Sequence, residues 1–365
     1  MLKSPDDLAA LAEFHCVLLR GLPAAALAVA AVLATAWPAA QAQPKKDTLV
    51  LAMTLEPPGL DPTAGAASAI AEIVLYNIFE TLTKVNGDGR VTPLLAESWS
   101  ISPDAKTYTF KLRRGVKFQN GEPFNAAAVK YSFERAVAKD SVNKDKAVFA
   151  NIASIDTPDE HTVLLALKNS NPDLLFQLGQ GTAIIVEPKS VATNATQPVG
   201  TGPYRLDSWN RGASATLLRW DGYRNASQVK MRRATIRFIS DPSAQVASLL
   251  SGDVDAFPRV AAARSLEQFK RDKRFQILIG GSRAKVIVAI NNKRKPLDDV
   301  RVRQAIAAAI DRQAVIDGAA DGFGVPIGSY YTPGAPGYVD LTAMNAYDVA
   351  KARALLAATK PRPRR

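Results

Sequence analysis

Few residues in this chain can do covalent or metal chemistry, and their spacing is wrong for most of it. Of the two histidines, His15 and His161, the second stands in a turn between two strand-like runs with no imidazole partner. A lone imidazole neither builds a zinc site nor activates a nucleophile without companions. Cys16 is the single cysteine, so disulfides and thiolate metal sites are excluded, and no Gly-x-Ser-x-Gly elbow occurs. Asp253 and Asp255 lie two apart in one Gly-Asp-Val-Asp turn, a pattern that reads as solvated acids. The residues therefore predict no catalytic group, no metal site and no cofactor.

What remains are loops that offer charge and backbone. Residues 55–62, Leu-Glu-Pro-Pro-Gly-Leu-Asp-Pro, follow a short apolar run and are stiffened by three prolines. Such a segment forms either the rim of a cleft or a plain connection. Residues 199–206, Val-Gly-Thr-Gly-Pro-Tyr-Arg-Leu, set a threonine between two glycines. Without Cβ atoms, a ligand or a crossing chain segment can come close to this backbone. The residues alone do not choose between the two.

Those loops need elements to hold them. Residues 48–53 read as a buried strand and 68–82 as an amphipathic helix with Ser68 as N-cap. Residues 85–91, Val-Asn-Gly-Asp-Gly-Arg-Val, form a Gly-rich hairpin turn between short strands. Trp99, Ile101, Tyr108, Phe110 and Leu112 alternate with polar residues, the period of half-buried strands. Asn125 then caps a helix with Val129, Phe133 and Val137 on one face. A hairpin at 154–167, a short helix at 172–178 and strands at 204–209, 213–220 and 234–239 follow. Asp241-Pro242 opens a helix through Leu250. Further strands are expected at 275–279 and 285–290, then helices from Leu297, from Asp311 and over 346–358. The pattern is α/β with many hairpins and no internal repeat.

The N-terminus points to export. Arg20, the small apolar run 22–36 and Ala40-Gln41-Ala42 have the form of a secretory signal cleaved after Ala42. The apolar run falls short of the roughly 20 residues that a bilayer core needs. Asp6, Asp7 and Glu13 do not suit a signal's start, so the true start is expected near Val17 and residues 1–16 as an extension. Cys16 precedes the apolar run, so no lipid anchor is expected. With 46 Lys and Arg against 34 Asp and Glu, the 365-residue chain carries a formal charge of +12. That charge alone would admit a nucleic-acid partner, but export argues against one.

Five stretches, in order, resemble the family 5 solute-binding proteins of ABC transporters, the dipeptide, oligopeptide and nickel-binding type. They are LEPPGLDP (55–62), LLAESWSISPDAKTYTFKLRRGVKFQNGEPFNAAAVKYSFER (94–135), VGTGPYRLDSW (199–209), LLSGDVDAF (249–257) and PLDDVRVRQAIAAAIDRQAVI (296–316). The resemblance implies a bilobed periplasmic binding protein of the type II-like fold with an extra subdomain. Residues 43–280 would form a discontinuous first lobe, with the accessory subdomain at about 83–190, and 281–365 the start of the second. Family members usually continue past the helix at 348–357, so the second lobe is expected to be incomplete and the chain truncated. The implied function is capture of a peptide or related small solute between the lobes and its delivery to ABC permease subunits in the inner membrane. The implied protein is a periplasmic monomer without catalysis or nucleic-acid partner. Cleft positions by the same resemblance are Glu56, Pro57, Gly59, Asp61, Thr201, Gly202 and Tyr204. Glu56 would meet a cationic group, and the backbone around Thr201 and Gly202 would hydrogen-bond the ligand. An exported hydrolase is the competing class but lacks a visible base and nucleophile. A module presenting a ligand to a sensor is the third.

Overall fold

The computed structural model describes residues 46–260, 263–281, 284–335 and 337–359. The signal segment with its cleavage site after Ala42, Cys16 and the basic tail 361–365 lie outside the described residues. Ten strands are described: β1 (Thr48–Met53), β2 (Thr83–Val85), β3 (Val91–Pro93), β4 (Ala96–Ile101), β5 (Thr107–Leu112), β6 (Ile152–Asp159), β7 (Thr162–Leu167), β8 (Tyr204–Asn210), β9 (Ser214–Arg219) and β10 (Arg233–Phe238). The first five helices are α1 (Ser68–Val74), α2 (Ala126–Val137), α3 (Lys146–Ala150), α4 (Leu174–Gln177) and α5 (Pro242–Ser251). They are followed by α6 (Leu266–Lys270), α7 (Val300–Ala309), α8 (Arg312–Ala320) and α9 (Val349–Ala357).

The first sheet has the order β1-β10-β9-β8. β1 pairs parallel with β10, while β10–β9 and β9–β8 are antiparallel. Hence β1, β10 and β8 run the same way and their carboxyl ends share one edge. Val50 and Ala52 also bond to residues 255 and 256, which gives β1 a partner on its other side. Ala215, Leu217 and Ile236 point from this sheet into a core with Ile70, Ile73 and Phe79.

The alternation in 96–112 becomes the second sheet, β4-β5-β7-β6, antiparallel throughout. Tyr108, Phe110 and Leu112 bury one face of β5 against Phe133 of α2 and Phe149 of α3 in the largest core. The rings of Phe133 and Phe149 lie 5.3 Å apart. Asn125 caps α2 as expected, its side chain accepting from the Ala128 amide at 3.1 Å. Asp241, Asp299, Asp311 and Asp348 do the same for α5, α7, α8 and α9.

Two expectations are corrected. The helix from Ser68 stops at Val74 instead of reaching residue 82, and Ser68 is its first residue, with Ala67 as cap. Tyr76 adopts φ of 61° there. Its phenol donates to the Gly179 carbonyl and accepts from the Val85 amide, tertiary bonds that outweigh the local helical pattern. The strands expected at 275–279 and 285–290 are absent. Those runs have the composition of strands, but they join no sheet among the described residues, and Val286 is 97% exposed.

Burial pushes the phenols of Tyr76, Tyr108, Tyr204 and Tyr223 above their ordinary range. The native chain then keeps protons that the unfolded chain releases. Stability from this source is complete below pH about 10 and falls as pH rises through the folded-state values. Thermal midpoints measured from pH 8 to 11 are expected to drop alongside tyrosinate absorbance. A flat profile would contradict the burial of these rings.

Candidate functional site at the carboxyl edge of the first sheet

β1 delivers the proline loop to the edge where β8 and β10 also end. The loop turns toward the β8–β9 hairpin, and Glu56 anchors it there. One carboxylate oxygen of Glu56 accepts from Trp209 Nε1 at 2.9 Å and the other from the Gly212 amide at 2.9 Å. Pro57 is buried and Gly59 half-buried. The Leu60 amide donates to the Ala195 carbonyl at 2.9 Å.

Asp61 fastens the loop's far end. It is 3% exposed and accepts from the Thr63 amide, the Thr63 hydroxyl and Arg135 of α2. Arg135 also donates to the Thr63 hydroxyl. With each end bonded to a different element, the loop is held before any ligand arrives. An Asp61→Asn change removes the charge that Arg135 faces. It is expected to lower stability by about 2 kcal/mol, the usual worth of a hydrogen bond to a charged group. A urea midpoint unchanged from wild type would show that the latch contributes nothing.

The glycine-threonine-glycine stretch lies against a crossing segment of the same chain. Gly202 donates to the Ile78 carbonyl at 2.8 Å, and Tyr204 to the Asn77 carbonyl at 2.9 Å. The Gln119 side chain bonds the Gly202 and Tyr204 carbonyls. Thr201 is fully buried, and its hydroxyl donates to Glu80 at 2.9 Å. Glu80, 1% exposed, is gripped by both terminal nitrogens of Arg224 at 2.6 Å, with the Tyr223 hydroxyl at 3.4 Å. The Tyr204 hydroxyl donates to the Met231 carbonyl at 3.0 Å.

The seven expected residues therefore fall into two groups. Glu56, Pro57, Gly59 and Asp61 are gathered on the loop. Thr201, Gly202 and Tyr204 lie at the crossing, where the Gly202 and Tyr204 amides and the Thr201 hydroxyl have protein partners. Glu80, Trp209, Arg211 and Arg224 were not among the expected residues. A lone glutamate in the apolar run Ile78-Phe79-Glu80-Thr81-Leu82 was the one signal that could have exposed the first, since a buried carboxylate requires a partner.

No group of three or more His, Cys, Asp or Glu side chains that could hold a metal occurs among the described residues. Among them, no helix is long and apolar enough to cross a membrane. In open α/β sheets ligands commonly bind outside the carboxyl ends of the strands, and here that edge carries the proline loop.

The chain belongs to the bacterial extracellular solute-binding proteins, family 5, whose middle-region model matches residues 90–360. It is 32% identical over 302 residues to the glutathione-binding protein GsiB of Salmonella choleraesuis, covering 81% of this chain and 58% of GsiB. Among solved structures it resembles the binding protein AgaA of A. tumefaciens R10 in complex with agropinic acid. That match has 31% identity and a TM-score of 0.72, over 85% of this chain and 64% of AgaA. It also resembles NikZ of Campylobacter jejuni in complex with Ni(L-His). There the identity is 25% and the TM-score 0.69, over 86% of this chain and 63% of NikZ. The chain thus spans less than two thirds of each of these relatives. The expected family and the type of fold are the observed ones.

Proposed function

We propose that the protein is the extracytoplasmic substrate-binding component of an ABC importer. It captures a peptide or related small solute in an interlobe cleft and hands it to a membrane permease, without catalysis. Family membership across residues 90–360 carries this reading. Residues 43–280 supply the first lobe, with the second sheet and its helices as an accessory subdomain at about 83–190. Residues 281–365 begin the second lobe. Export follows cleavage after Ala42, and the protein works in the periplasm as a monomer.

Half-buried Gly59 faces the ligand from the loop. Buried Pro57, together with Glu56, Asp61, Thr201, Gly202 and Tyr204, buttresses that surface, the polar ones because their side chains or amides are already bonded within the protein. Glutathione, agropinic acid and L-histidine, which the relatives' names carry, all contain carboxylate groups. A small carboxylate-bearing solute is therefore the class proposed here.

Native mass spectrometry of the purified full chain tests the reading. A small organic solute retained on the protein, and released unchanged on denaturation, is expected. A tightly held nucleotide, or hydrolysis of added peptides, would overturn it.

A further inference from the structure

We infer that Arg211 is the residue that receives the solute's carboxylate. The inference rests on the solute-binding reading and adds to it a specific point of recognition. Arg211 sits in the turn between β8 and β9. Because β8 runs with β1 and β10, that turn lies at the same carboxyl edge as the proline loop.

Three observations converge on this side chain. Its guanidinium carbon lies 3.5 Å from the centroid of the Trp209 ring, a stacked cation–π contact. The Trp209 ring is itself fixed by its Nε1–H bond to Glu56. Arg211 is thus held in a defined plane, although it is exposed.

The neighbouring carboxylate forms no direct ion pair with it among the described residues. Both oxygens of Glu56 accept from uncharged donors, the Trp209 indole and the Gly212 amide. The only hydrogen bond described for the guanidinium runs to the Pro58 carbonyl at 3.5 Å, the long limit for such a bond. Arg135 and Arg224, by contrast, each reach a buried carboxylate within 3 Å.

A stacked guanidinium keeps its edge free, and that edge matches a carboxylate through two parallel N–H···O bonds. Stacking also lowers the ordering cost, since the plane is set before the ligand binds. An ammonium in its place would keep the charge but lose both the fork and the stack.

The test uses glutathione and glutathione diethyl ester as probes, titrated calorimetrically into the full chain. Wild type is expected to bind glutathione at least tenfold more tightly than the ester. Arg211→Gln should weaken glutathione binding at least tenfold while leaving the ester's affinity unchanged. Arg211→Lys should fall between wild type and Arg211→Gln. Arg205→Gln, at an exposed arginine on β8, should stay within twofold of wild type. Circular dichroism of each variant separates loss of binding from loss of fold. If folded Arg211→Gln binds glutathione as wild type does, this inference falls and the solute-binding reading stands. If wild type binds neither probe, the carboxylate-solute reading falls together with it.

Discussion

Replacing Arg224 with methionine is expected to destabilise the protein by about 3–5 kcal/mol, a large part of the roughly 5–15 kcal/mol that holds a typical domain folded. Glu80 is 1% exposed and its carboxylate faces both terminal nitrogens of Arg224 at 2.6 Å. With the guanidinium gone, the hydroxyls of Thr201 and Tyr223 remain as donors, and neither carries charge. The carboxylate must then stay buried and unpaired, take up a proton, or drag the crossing segment into water. Each route costs free energy. Urea denaturation followed by circular dichroism measures the loss. A change below about 1 kcal/mol would mean that the pair contributes no more than a surface salt bridge. The double variant Arg224→Met/Glu80→Leu is expected to regain part of the loss, because the cost lies in the orphaned charge and not in the missing attraction.

Gly200→Ala is the second large effect. A Cβ at Gly200 would stand 2.0 Å from the Ile78 carbonyl oxygen and 2.7 Å from the Ile78 carbonyl carbon. These are backbone atoms in a segment that also bonds Gly202 and Tyr204, so neither side can retreat without breaking those bonds. Gly202→Ala meets the Asn77 carbonyl oxygen at 2.4 Å and should behave alike. We expect about 3–5 kcal/mol for either, the upper range for overpacking against an unyielding neighbour. Gly87→Ala is the control, since nothing lies within 4 Å of its Cβ position. That variant should stay within about 0.5 kcal/mol of wild type. Equal midpoints for Gly200→Ala and Gly87→Ala would sink the account of a backbone crossing.

Much of the fold was legible because it is written in short-range patterns. Alternation of Tyr108, Phe110 and Leu112 specifies which face of β5 is buried, and that face does enter the largest core. Asn125 and Asp241 announce helices because a side-chain oxygen satisfies an amide only three residues on. The same reasoning failed where tertiary bonds decide. Tyr76 ends α1 early through partners at Val85 and Gly179. The runs 275–279 and 285–290 have strand composition but join no ladder among the described residues.

The site was only half legible. Glu56 and Asp61 stood out as charges on a stiff loop, but their partners Trp209 and Arg135 lie far along the chain and nothing local pairs them. For the Gly-Thr-Gly stretch the sequence left open whether a ligand or a chain segment approaches. The structure shows residues 77–80 there, because a glycine's missing Cβ is needed wherever two backbones touch.

By itself, then, the sequence determined the family through its ordered motifs. It also determined the buried face of β5 and the caps at Asn125 and Asp241, because each of these depends on residues within one turn or one pleat of each other. Only the tertiary structure decided which charges are neutralised. Glu80 finds Arg224 across 144 residues, while Arg211 stacks on Trp209 without a carboxylate. An ion pair depends on a few ångströms in space, and spacing along the chain does not record that distance.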